Sequence, residues 1–288
     1  MMRGAAHWAV AVRRPTGDIY IESHPIESLA KRRPWLAKPF LRGVMVLAQS
    51  LVIGTRAMMV ASNQSLEEEE QLSSRAVGIS LAVALVFFVL IFILAPTALF
   101  AWAGHHYGNS RWILVLEGVF RVALLVGYLW LIGRFKEVRR VFQYHGAEHK
   151  TIAAYEHDQP LDPAHVDPFP KEHVRCGTNF LIIVMIVTIL VFTFIGTPGI
   201  WWRIGSRLVA IPVIAGIAYE ALRLGARFPK SPFVRGLMKP GIWLQRITTK
   251  EPDDAQIQVA IASFQEILRC EAGSPVATDA AGLGELNP

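Results

Sequence analysis

The stretch "FQYHGAEHKTIAAYE", residues 142–156, holds His145, Glu148 and His149 close together. Histidines four positions apart share one helix face, one turn apart, and as neutral imidazoles they can clamp a single ion. Glu148 between them can act as general base on a water held by that ion. This is the composition of zinc hydrolase helices, in the order of inverted zincins. The plain alternative is a polar surface helix whose histidines are merely solvated.

Further ligands must come from elsewhere in the chain, and two sets are available. "HVRCG" offers His173 and Cys176, which with His145 and His149 would close a four-ligand structural site. Glu220 would instead complete a three-ligand site with the fourth position open, the catalytic pattern. Each also has an ordinary reading: Cys176 as a reduced structural thiol, Glu220 as an interfacial carboxylate paired with Arg223 or Arg227. The expected cofactor is a divalent metal, zinc by ligand type.

The elements that must position these groups are largely apolar. The chain has 288 residues, 52% hydrophobic and only 18% charged, which predicts a mainly α-helical polytopic membrane protein. Its net charge of +6 does not point to nucleic acid. The basic residues flank apolar segments, and no basic run is interleaved with aromatics for base stacking. Two cysteines are too few for a disulfide framework, and the first residues lack the apolar core of a signal peptide.

Along the chain, residues 7–23 alternate around "RPTGD" and predict a small β-hairpin, followed to residue 42 by a basic connector. Residues 43–61 read as an amphipathic helix lying in the interface, because Arg42, Gln49 and Arg56 recur every seven residues as one polar stripe. An acidic loop follows at 62–75. Two spans fill 76–133, the second carrying Glu117 and Arg121 at a spacing that allows mutual neutralisation. The segment 134–176 is expected as a cytoplasmic loop holding the metal site. Two further spans occupy 177–222, the second (208–222) weak because it is short and contains Pro212 and Glu220. Residues 223–270 form a cytoplasmic segment ending in an amphipathic helix, capped by Asp253 or Asp254, with Ile257, Ile261, Phe264 and Leu268 on its apolar face. Residues 271–288 are Gly/Ala/Pro-rich and expected to be disordered.

Four spans divide the Lys and Arg residues into 10 before residue 76, 7 in 134–177 and 8 from 223 onward. Arg111, Arg203 and Arg207 alone fall in the loops on the other side. Both termini are therefore expected in the cytoplasm, with the chain a multi-pass protein of the bacterial inner (plasma) membrane. His105 and His106 are assigned to a short outer loop.

"VFQYHGAEHKTI", "VRCGTNF", "AGIAYEALRL" and "PGIWLQRITTKEPDDAQIQVAIASF" occur in this order and resemble the YqhQ-like family of bacterial membrane proteins over roughly residues 1–270. The resemblance implies the membrane architecture and a predicted metal-dependent enzyme, with no substrate attached. Members of that family carry a Gly-rich "GGQAVIEGV"-type stretch ahead of the position of "MMRG", so the resemblance implies either a start assigned too late here or an N-terminal domain that lacks a piece. The leading expectation is a metal-dependent hydrolase acting at the membrane surface, with Glu148 as its base. The alternatives are a scaffold or binding module stapled by a structural metal, or a small transporter using Glu117, Arg121 and Glu220. Membrane lipids are expected partners, and a second copy or another membrane protein is an open class.

Overall fold

A computed structural model describes residues 1–27, 35, 38–65, 73–108, 111–173, 176–195, 200–228 and 231–273. The acidic run 66–71 and the tail from 274 lie outside them, as does most of the basic connector. The expected hairpin is present as β2 (His7–Arg13) and β3 (Ile19–Pro25), with His7 opposite Pro25 and Arg13 opposite Ile19. A short β1 (Met2–Arg3) adds antiparallel to β2, so the sheet has three strands in the order β1-β2-β3.

Both faces of β2 are covered, and its alternation sends two sets of side chains in opposite directions. Trp8, Val10 and Val12 pack on Ile53 and Ala57 of α1 (Leu41–Ser65). On the other face, Ala9 and Met2 meet Ile257, Ile261, Phe264 and Ile267 of α10 (Asp254–Ala272). The C-terminal helix therefore docks on the sheet and on Ala147 and Ala154 of the helix Lys136–Glu156, and Leu268 packs at the margin of that core. Asp253 caps it in a capping box with Gln256, which satisfies two of the orphan amides at its start.

Among the described residues, five helices are long and apolar enough to cross a membrane by length and composition, which makes the chain a polytopic helical membrane protein. They are α1; the continuous run Arg75–Tyr107; α4 (Arg111–Ile132); α7 (Thr178–Ile195); and the segment Ile204–Gly225 of α8 (Ile200–Arg227). The segment 208–222, expected as a weak span, is the middle of a 28-residue helix that accommodates Pro212. Trp201 and Trp202 belong to α8 rather than to the preceding span. His105 and His106 lie in the last turn of a helix, not in a loop.

The first apolar run is α2 (Ser74–Phe88), a π-helical turn (Val89–Leu94) and α3 (Ala95–Tyr107). Pro96 has no N–H to offer the Phe92 carbonyl. Arg121 of α4 supplies the donors instead, Nη1 to Phe92 O at 2.5 Å and Nη2 to Ile93 O at 3.1 Å. Arg121 also pairs with Glu117 at 2.8 Å, as the spacing predicted. Arg207, assigned from the sequence to an outer loop, instead lies inside α8 and binds the same buried carboxylate at 2.5 Å. A charge in this layer is stable only when countered and hydrogen-bonded, and this cluster does both across three helices.

The segment 134–176 is mostly helix: α5 (Lys136–Glu156) and a single turn, α6 (Pro163–Val166). A further amphipathic helix, α9 (Pro232–Thr248), has no counterpart in the sequence expectations. Met238 of α9 packs with Ile183 of α7 and Leu222 of α8. Gly241 of α9 meets Asn179 of α7 so closely that a Cβ would lie 2.1 Å from Asn179 Oδ1.

Candidate metal centre

α5 presents both histidines on one face, with ring centroids 4.4 Å apart. Gly146 beside them is required by a close crossing. A Cβ there would lie 2.3 Å from the Lys250 carbonyl oxygen, so glycine lets the linker after α9 pass directly over the helix. Lys250 N donates to Phe142 O at 2.9 Å, and the Thr248 carbonyl reaches His145 Nδ1 at 3.0 Å. From the other side, the Lys171 carbonyl meets His149 Nδ1 at 2.6 Å. A carbonyl only accepts, so each Nδ1 must carry the proton, and each neutral ring keeps its lone pair on Nε2.

Cys176 faces those lone pairs. Its Sγ lies 3.3 Å from His145 Nε2, and one ligand atom from each of His145, His149 and Cys176 falls within 4.8 Å of the others. Tetrahedral zinc, with Zn–N near 2.0 Å and Zn–S near 2.3 Å, would hold such atoms roughly 3.4–3.6 Å apart. The His145–Cys176 spacing, 3.3 Å, falls just short of that range. The backbone amide and hydroxyl of Thr178, at the start of α7, lie 3.4 and 3.2 Å from the sulfur and can stabilise its negative charge.

The electrostatics follow from this packing. Burial pushes the Cys176 thiol up, but hydrogen bonds and charge from His145 and His149 outweigh it and bring it down to about 5. Burial likewise pushes His145 down, and Cys176, Glu148 and the Thr248 carbonyl together raise it to about 9. Without an ion, the cysteine and His145 form a thiolate–imidazolium pair. Lys150, buried on the same helix, binds Asp167 at 2.9 Å and Glu251 at 3.0 Å, and so ties the linker and the segment after α6 to α5.

The other sequence-predicted ligands are placed differently. His173 flanks the cluster, its ring 5.9 Å from that of His149, but its Nε2 meets Glu156 Oε2 at 3.1 Å. Gln245 of α9 holds the His173 backbone by both N–H and carbonyl, at 2.8 and 2.9 Å. Glu220 is not in the cluster. Its carboxylate takes a two-point bond from Arg42 of α1, 2.7 Å from Nε, rather than from Arg223 or Arg227. Glu148 is half-buried, its carboxylate 3.9 Å from the Met1 amino group.

Sequence reasoning missed Thr178, Gln245 and the two carbonyl acceptors. Gly146 was a readable signal, since a glycine inside a polar helix marks a close backbone approach. The carbonyls of Lys171 and Thr248 carry no residue-type signal at all.

Residues 38–270 match the family described as "Protein of unknown function (DUF1385)". The chain is also similar to "Uncharacterized protein YqhQ" of Bacillus subtilis (strain 168), at 35% identity over 286 residues, covering 94% of this chain and 90% of that protein. No solved structure matches it.

Proposed function

The chain belongs to the DUF1385 family, and on that footing we propose a membrane metalloprotein in which His145, His149 and Cys176 hold one divalent, zinc-like ion. The observation that carries this reading is the pair of carbonyl acceptors. Thr248 and Lys171 engage both Nδ1 protons and leave both Nε2 lone pairs for the side where the sulfur lies. Solvated histidines need no such restraint, whereas metal-binding ones regularly have it. Bound there, such an ion would supply Lewis acidity to a water or substrate oxygen.

The chain's own groups supply the rest. Thr178 and the start of α7 hold charge on the sulfur. Glu148, next to His149, is the carboxylate we assign as proton acceptor. The reaction class is hydrolysis at the membrane surface, of a peptide or lipid-linked substrate. A second reading, a closed structural staple, is favoured by one observation: the His173 ring lies 5.9 Å from that of His149, near enough to offer a fourth ligand if it turned from Glu156.

The membrane arrangement in this reading has four spans, with α1 along the surface. Its start is tied to Glu220 near the end of α8, and its second half packs on the sheet. The sheet, α5, α9 and α10 then share one side, which the Lys/Arg asymmetry assigns to the cytoplasm of a bacterial inner membrane.

Metal analysis and X-ray absorption on the detergent-purified protein test the reading. One sulfur, two imidazoles and one oxygen ligand are expected, with metal lost in Cys176→Ser and His149→Ala and retained in Glu148→Gln. A third imidazole, with metal loss in His173→Ala, would make the site structural. Wild-type protein free of stoichiometric metal would sink both readings.

A further inference from the structure

On the far side of α5 from the histidines, Lys136, Arg139 and Arg140 form a separate basic face. At 100° per residue its mean direction is roughly 150° from that of His145 and His149. With Tyr144 and Arg13 of β2 they line an open groove of about 460 Å³. Arg13 is held there by the Ala255 carbonyl at 3.1 Å and Gln258 at 2.9 Å, while its buried Nε has no partner among the described residues. The acid in the lining, Asp253, accepts the Gln256 amide at 2.8 Å as the cap of α10. Lys136, Arg139 and Arg140 are exposed and have no carboxylate partner among the described residues. Nearby, burial and then the positive charges of Lys171 and Arg139 hold the Lys250 amine below its ordinary range. Cations at this density without counterions favour an anionic ligand.

The groove also sits at a particular depth. α4, an apolar helix of membrane length, ends at Ile132. Arg134 stacks on Trp130 at 3.7 Å, an aromatic–cationic pairing suited to the headgroup layer. α5 starts at Lys136, so Arg140 stands within about 12 Å of the end of the span. Phe135, exposed immediately before Lys136 at the start of α5, offers apolar surface between the end of the span and the cations.

We propose that this groove binds the phosphate-bearing headgroup of an anionic phospholipid, in the leaflet that α4 leaves at Ile132. Arg139 and Arg140 would grip the phosphate oxygens in forked hydrogen bonds, and Phe135, at the membrane end of the helix, would lie against the upper acyl chain. The site is independent of the metal centre, and its occupancy does not depend on metal.

Binding of dihexanoyl phosphatidylglycerol to the full-length detergent-purified protein, followed by thermal shift, tests this. Dihexanoyl phosphatidylcholine and inorganic phosphate serve as comparison ligands. The expected result is stabilisation by the anionic lipid alone, with affinity about 30-fold weaker in the Arg139→Gln/Arg140→Gln variant. Both positions are exposed, so the variant should keep the lipid-free melting temperature. Equal responses to both lipids, or an unchanged response in the variant, would overturn the proposal. Inorganic phosphate matching the anionic lipid at equal concentration would overturn the lipid source.

Discussion

His149 Nδ1 lies 2.6 Å from the Lys171 carbonyl oxygen, and this bond decides which ring nitrogen faces Cys176. Its twin joins His145 Nδ1 to the Thr248 carbonyl at 3.0 Å. In zinc-loaded protein both rings should therefore be neutral Nδ1–H tautomers ligating through Nε2. Long-range nitrogen–proton correlation spectra of histidine-labelled protein read this directly. Ligation through Nδ1 on either ring would contradict the orientation described.

Cys176 should titrate far below an ordinary thiol in chelator-treated protein. Its folded value of about 5 lies under the reference near 8.5, so the thiolate persists at neutral pH and is lost as pH falls through about 5. His145, raised to about 9, gives up its proton as pH rises through that value. The stability added by Cys176 is full above its unfolded value near 8.5 and is lost as pH falls through about 5, whereas that added by His145 is full below its unfolded value near 6.5 and is lost as pH rises through about 9. Thiolate absorbance against pH should show the low midpoint, and His145→Ala should move it upward. An ordinary thiol midpoint in the wild type would refute the pairing.

Gly146→Ala should be far more costly than an alanine in an open helical position. The new Cβ meets the Lys250 carbonyl at 2.3 Å, and the linker must lift, taking the Thr248 carbonyl away from His145. Overpacking of this kind costs roughly 1–3 kcal/mol. Gly54→Ala, with nothing within 4 Å of its Cβ, is the control. Melting temperature and metal content should both fall in the first variant and neither in the second.

Glu117→Gln should destabilise the spans by roughly 3–5 kcal/mol, since it leaves two guanidinium groups buried without a counter-charge. Removing one of them as well, in Glu117→Gln/Arg207→Gln, should recover part of the loss. Arg121 is a poor choice for that second change because it also caps the Phe92 and Ile93 carbonyls. Denaturation in mild detergent gives the comparison; a fully tolerated single variant would remove the ion cluster from the account of stability.

Much of the architecture was legible because apolar length and periodicity are local properties. The Glu117–Arg121 pair and the Asp253 cap were readable within a single turn. Glu220 shows where that reasoning stops. Burial cost says that such a carboxylate needs a partner, and says nothing about which one. The partner, Arg42, lies 178 residues earlier. Arg207 was misassigned for the same reason, since an arginine near a span end looks like a loop residue until its buried acceptor on another helix is known. α9 escaped notice because Gly236, Pro240 and Gly241 interrupt its helical signal, although Gly241 is what lets it approach Asn179. His145, His149, His173 and Cys176 were all identifiable by residue type. That His173 turns to Glu156 was not, because it depends on how Gln245 holds the backbone.

The sheet is built from the first residues of the chain but is completed by the last helix. Ala6 N and His7 N both donate to Glu271 Oε1, and β2 packs against Ile257, Phe264 and Ile267. Synthesis runs from the N terminus, so β2 emerges long before α10 exists to cover it. The strap over Gly146 also lies downstream of every apolar segment. Membrane insertion therefore precedes closure of the histidine–cysteine site. A ribosome stalled before residue 248 would leave His145 without its carbonyl acceptor, so the orientation of that ring belongs to the finished chain rather than the nascent one.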